Sequence, residues 1–128
     1  MGYDINIYYH PRAYKYLKRL NQNEHNKIVG LIDDRIKGFI ENKDKRYIFR
    51  DAHFSKLGNF DSTVYYLKIN LKDRVILSID EDPIFEQVIV NIFTICNRDK
   101  FKTEMNGIME SLYQKMINEE SYDEEEEE

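Results

Sequence analysis

Cysteine is nearly absent from this chain: Cys96 stands alone among 128 residues. A single thiol excludes an internal disulfide framework and any metal site built from several cysteines. Long apolar runs are also missing. The most apolar-rich stretch, Val88 to Cys96, is nine residues long and holds an Asn and a Thr, whereas a membrane-spanning helix needs ~20. The opening MGYDINIYYH has neither the basic start nor the apolar stretch of a secretion signal. Asn6 stands where N-myristoylation after Gly2 asks for Ser or Thr. These absences predict a soluble, cytosolic protein with no membrane partner. No internal repeat is present, and nothing in the spacing of His, Cys, Asp or Glu calls for a metal or another cofactor.

What the chain does hold is charge, unevenly distributed. Lys and Arg number 19, all within residues 1–118, and 16 of the 24 acids share that stretch, so the body carries +3. The remaining eight acids fall in residues 119–128 and bring the total to −5. The overall sign therefore describes a tail, and the body is mildly basic. Length and apolar content suit one domain over residues 1–118. The run SYDEEEEE has nothing to bury, which predicts a disordered acidic tail over 119–128.

Hydrophobic periodicity supplies the elements. Ile5, Ile7 and Tyr9 alternate with Asp4 and Asn6, as in a half-buried strand. Pro11 then suits a first helical turn, and Ala13, Tyr16, Leu17 and Leu20 recur at helical spacing. Asn21 and Asn23 are cap residues before a longer helix marked by Ile28, Ile32, Ile36, Phe39 and Ile40, ending near Asn42. Residues 43–59 are charged and aperiodic and read as loop with one extended piece. Three strands, Val64–Asn70, Arg74–Asp80 and Val88–Cys96, follow with connections short enough for a meander. Phe101, Met105, Ile108, Met109, Leu112 and Met116 trace one face of a last helix over about 99–118. The order predicts an α+β fold, with helices on one face of a mainly antiparallel sheet. Tyr65, Leu67 and Ile69 are expected to face the helices, and Tyr66 and Lys68 to point away, near Arg74.

With these pieces in place the chain resembles the RelE/ParE superfamily of toxins from toxin–antitoxin pairs, over roughly residues 3–110. The resemblance rests on YDINIYYHPRAYKYLKRL, KLGNFDSTVYYLKIN, DRVILSID and VIVNIFTICNRDKFK. It implies an N-terminal strand and helical hairpin packed on a mainly antiparallel four-stranded sheet, with a C-terminal helix. The basic and aromatic positions that match are Tyr65, Lys68, Arg74, Arg98 and Phe101. Two activities are implied: RelE-like toxins bind the ribosomal A site and cut mRNA, and ParE-like toxins inhibit DNA gyrase. Cleaving RNA without a metal needs a proton acceptor for the 2′-OH, a donor for the 5′ oxygen, and cations for the developing charge.

By this resemblance Lys68, Arg74 and Arg98 carry the catalytic work, and His53 is a further candidate for proton transfer. Tyr66, Phe101 and Lys56 are expected to bind substrate. Phe101 stands where such enzymes have a Tyr; it can stack on a base but offers no hydroxyl, which favours the gyrase-binding alternative. Met105, Met109 and Met116 form a stripe suited either to the chain's own sheet or to a partner helix, as an antitoxin supplies. A non-toxic interaction protein retaining the fold is the third possibility. Each residue also has a plainer role: Lys68 as the solvated half of an alternating strand, Arg98 as a strand-end cap, His53, His10 and His25 as packing or surface residues, and Cys96 as a small core residue.

Overall fold

The structure is a computed structural model that describes the backbone of residues 4–57 and 60–126; the side chains of 52–61, 116 and 119–126 lie outside the described residues. Strand β1 (Asp4–Tyr9) leads into α1 (Pro11–Lys18) and α2 (Gln22–Asn42), then β2 (Ile48–Leu57), β3 (Phe60–Lys68), β4 (Asp73–Asp82), β5 (Gln87–Asn97) and α3 (Arg98–Glu126). Helix α2 starts where Asn21 accepts a hydrogen bond from the Glu24 N–H at 2.9 Å, satisfying one orphan donor of the first turn. It ends where Lys43 takes the left-handed conformation (φ 56°) and returns its N–H to the last carbonyls.

The fold is α+β, and its sheet has five strands in the order β1-β5-β4-β3-β2. β2 through β5 form an antiparallel meander, and β1 adds to β5 in parallel, Asp4 opposite Gln87 through Tyr9 opposite Ile92. This corrects the expected four-stranded sheet. The added strand is β2, which occupies much of the stretch read as loop. As an edge strand it pairs only with β3 and carries register shifts between Arg50 and Ala52 and between Phe54 and Leu57. Bulges of this kind erase the period-two signal on which a strand is recognised.

The helices also occupy both faces, not one. α1 and α2 cover Leu67, Val75, Leu77, Val88, Val90 and Ile92, while α3 covers Val64, Ile76 and Cys96 with Met105, Phe101, Ile108, Met109 and Leu112. The run Val75-Ile76-Leu77 carries the reason: all three are fully buried, and a strand without alternation is one covered on both sides. Finally, α3 continues as helix through Glu126, into the stretch expected to be disordered. Glu is a good helix former, and extending an existing helix carries no nucleation cost.

Candidate nucleic-acid interface

The β3–β4 connection decides where the cations meet. Asn70 accepts from the N–H groups of Lys72 and Asp73, both at 2.8 Å, and donates to the Asp73 carboxylate at 3.1 Å. This Asx-type clamp closes a tight turn and sets Lys68 directly opposite Arg74. Like charges so placed repel each other. Arg74 folds back over the turn, donating to the carbonyls of Asn70 (2.8 Å) and Asp73 (3.1 Å) from one nitrogen; a guanidinium has further donors left over. Among the described residues neither Lys68 nor Arg74 has a carboxylate within 4 Å, and the same holds for Arg98.

Arg98 arrives from β5. Its N–H donates to the Lys72 carbonyl at 2.7 Å, which ties the first residue of α3 to the same turn. Asn97 caps that helix by accepting from the Lys100 N–H at 3.0 Å. Phe101, three residues past Arg98 and so on the same helical face, meets Tyr66 edge-on at 4.9 Å. Tyr66 in turn stacks on Phe49 at 5.2 Å, and the Lys68 ammonium lies 4.8 Å from the Phe49 ring centre, a cation–π contact. Two facing cations, a third at a helix start and three partly exposed rings thus share one end of the α3 face.

The backbone beneath is held from the other side. Arg35 of α2 stacks 3.8 Å from the Tyr47 ring centre and donates to the carbonyls of Lys68 and Ile69. Arg35 was not foreseen as part of the site; its only sequence signal is a charged residue between Ile32 and Ile36 on an apolar helix face.

The site residues expected from sequence divide accordingly. Lys68, Tyr66 and Phe101 join in one chain of contacts through Phe49, and Arg74 and the backbone of Arg98 meet at the adjoining β3–β4 turn. Tyr65 lies on the opposite face, edge-on to Phe39 at 5.1 Å, where burial pushes its phenol upward. The backbone of His53 pairs with Thr63, five residues and about 17 Å up β3 from Lys68. Lys56 lies still farther along β2, near the β2–β3 connection. The side chains of His53, Lys56 and Met116 lie outside the described residues. Met105 is buried and Met109 half-buried against the chain's own sheet.

The other candidates have structural partners. His10 shares a hydrogen bond with Asn91 at 3.1 Å and packs on Phe93, and His25 shares one with the Leu17 carbonyl at 3.1 Å. Burial, with Glu104 and Asp73 near by, pushes the Cys96 thiol up to about 11, so it stays protonated and is a poor nucleophile. Among the described residues no three His, Cys, Asp or Glu side chains converge as a metal site, and no helix is long and apolar enough to cross a membrane.

Sequence reasoning missed a second polar group under α3. Asp80 accepts from Asn91 at 3.4 Å and is hydrogen-bonded to Ser62; among the described residues its other oxygen is buried without a partner, and burial pushes its pKa above the usual carboxylate value. It lies six residues along β4 from Arg74, at the far end of the same face. The cation end has the chemistry to hold a phosphodiester: charge from three chain segments and rings for adjacent bases. Compared with family models, with curated proteins and with solved structures, the chain matches none.

Proposed function

We propose that this chain is a RelE-like toxin that acts in the cytosol, binds mRNA on the ribosome and cleaves it without a metal or other cofactor, under the control of a cognate antitoxin. The observation that carries this reading is the register pair Lys68–Arg74, two basic residues opposite each other across β3 and β4 with no carboxylate within 4 Å among the described residues, beside the rings of Tyr66, Phe49 and Phe101. Retaining such a repulsion is reasonable where an anion relieves it.

In the proposed reaction the ribose 2′ oxygen attacks the adjacent phosphorus. The 2′-O–P bond forms as the P–O5′ bond breaks, leaving a 2′,3′-cyclic phosphate. The 2′ proton passes to solvent and the 5′ oxygen leaves with a proton drawn from solvent, while Lys68 stands beside the scissile phosphate as a cation. Arg74 and Arg98 stabilise the phosphorane's added charge, each worth roughly 100-fold or more in rate by analogy with other charge-stabilising donors.

The test is to express the protein, follow translation, and map the cleaved mRNA ends and their terminal chemistry. Arrest with cyclic phosphate ends, relieved by Arg98→Ala, supports the reading. Arrest that Arg98→Ala leaves untouched opposes it. A second reading, a ParE-like inhibitor of gyrase, is favoured by the missing hydroxyl at Phe101; DNA-damage signalling with intact mRNA selects it.

A further inference from the structure

Helix α3 has a second basic side. A cleft of about 420 Å³ opens between α1 and the first turns of α3, with Thr94, Cys96 and Asn97 of β5 along it. Phe101 turns toward Tyr66, whereas Lys100 and Glu104 line the cleft. Successive helical residues lie 100° apart, so the two sites flank the same first turn. They also share the end of β5, because Cys96 is the register partner of Arg74 and Asn97 precedes Arg98.

Four cations line this cleft: Arg12, Lys15 and Arg19 along α1 and its C-cap, and Lys100 across from them. The first three are spaced three and four apart, which places them on one helical face. The cleft's two carboxylates are engaged. Glu104 pairs with Arg12 at 2.9 Å, and Asp73 is bonded by Asn70 and by the Tyr16 phenol. Lys15, Arg19 and Lys100 are exposed and, among the described residues, have no carboxylate within 4 Å.

We propose that this cleft is a second phosphate site, which holds successive backbone phosphates of the same RNA strand whose scissile phosphate lies at Lys68 and Arg74. The strand then wraps the first turn of α3, and the cleft supplies length-dependent affinity without touching the reacting atoms. This extension rests on the RNA reading of the sheet end. Continuity with that ring-flanked site favours RNA over an acidic peptide, since bases have rings to stack on at one end and phosphates have cations at the other.

The experiment compares the full chain with its Lys15→Gln/Arg19→Gln/Lys100→Gln variant, all three being surface positions. Fluorescence anisotropy reads the binding of 2′-O-methyl oligonucleotides of twelve and three residues between 50 and 200 mM salt. Removing three cations that each neutralise a phosphate of a single strand lowers the log–log salt slope by about 2, and affinity for the 12-mer falls more than about a hundredfold at 50 mM salt. Affinity for the 3-mer stays as it was.

An unchanged 12-mer affinity and slope overturns the cleft and leaves the sheet-end site standing. Equal losses for both lengths also overturn it, because the cleft would then not be a separate site. Wild-type protein that binds neither oligonucleotide overturns the RNA reading itself and the cleft with it. Displacement of the 12-mer by a poly-glutamate peptide more effectively than by unlabelled RNA of equal charge, in wild type but not in the variant, assigns the cleft to an acidic protein segment instead.

Discussion

Beneath α1 and α2 the sheet presents Leu67, Val75, Leu77, Val88, Val90 and Ile92, an aliphatic surface closed to water. Beneath α3 the same strands present Val64 and Ile76 in the middle, with Ser62, Ser78, Asp80 and Asn91 at one end and Tyr66, Lys68, Arg74 and Cys96 at the other. One face is filled to exclude solvent; the other is apolar only where α3 crosses it, and both of its ends are polar. Close filling makes the first face sensitive to volume, and exposed cations make the second sensitive to charge.

The sharpest way to break this contrast is a cavity on the aliphatic side. Leu77→Ala is expected to lose about 2–5 kcal/mol in denaturant unfolding, the range for truncating a fully buried aliphatic side chain; a loss below ~1 kcal/mol would mean that this face is not the principal core. On the other face Phe101→Ala removes a half-buried ring and its contact with Tyr66, for an expected loss of about 1–2 kcal/mol. It should also weaken RNA binding, which Leu77→Ala should not do in the fraction that remains folded.

Asp80 sharpens the comparison through pH. Burial raises its folded-state value, so the protonated form is favoured by folding. Its contribution to stability is full below the unfolded value of ~3.9 and is lost as pH rises through the folded one. Asp80→Asn is therefore expected to melt above wild type at pH 7 and to converge with it toward pH 3. A melting temperature that falls at pH 7 would show that the ionised carboxylate is stabilising. The smallest effect belongs to Lys68→Gln, which removes a like-charge pairing and should raise stability by a few tenths of a kcal/mol or leave it level. A clear destabilisation would mean that the Lys68 contact with Phe49 outweighs the repulsion.

The contrast also explains what could be read from sequence. β1, α1, α2, β3 and β5 announce themselves because each buries a face with a clean period, and β4 because it is a short, continuous apolar run. β2 does not, since an edge strand with two register shifts has none. The placement of α3 on the far face was written in Val75-Ile76-Leu77, a run that alternation alone misreads as one-sided. At the site, Lys68, Arg74 and Arg98 were recognisable as residue types, but their meeting depends on the Asn70 clamp and the Arg98–Lys72 backbone bond. Those contacts link residues by turn geometry, which no periodicity encodes. Arg35 was hidden for the same reason, because its function is to reach carbonyls 33 and 34 residues away.

Affinity for single-stranded RNA in the Lys68→Gln/Arg98→Gln variant tests the central claim most directly, since both side chains are exposed and Arg74, which braces the turn, is left intact. The account predicts at least a tenfold weaker complex at low salt and a shallower salt dependence, with an unaltered melting temperature. Wild-type affinity in that variant would show that these cations do not hold phosphate.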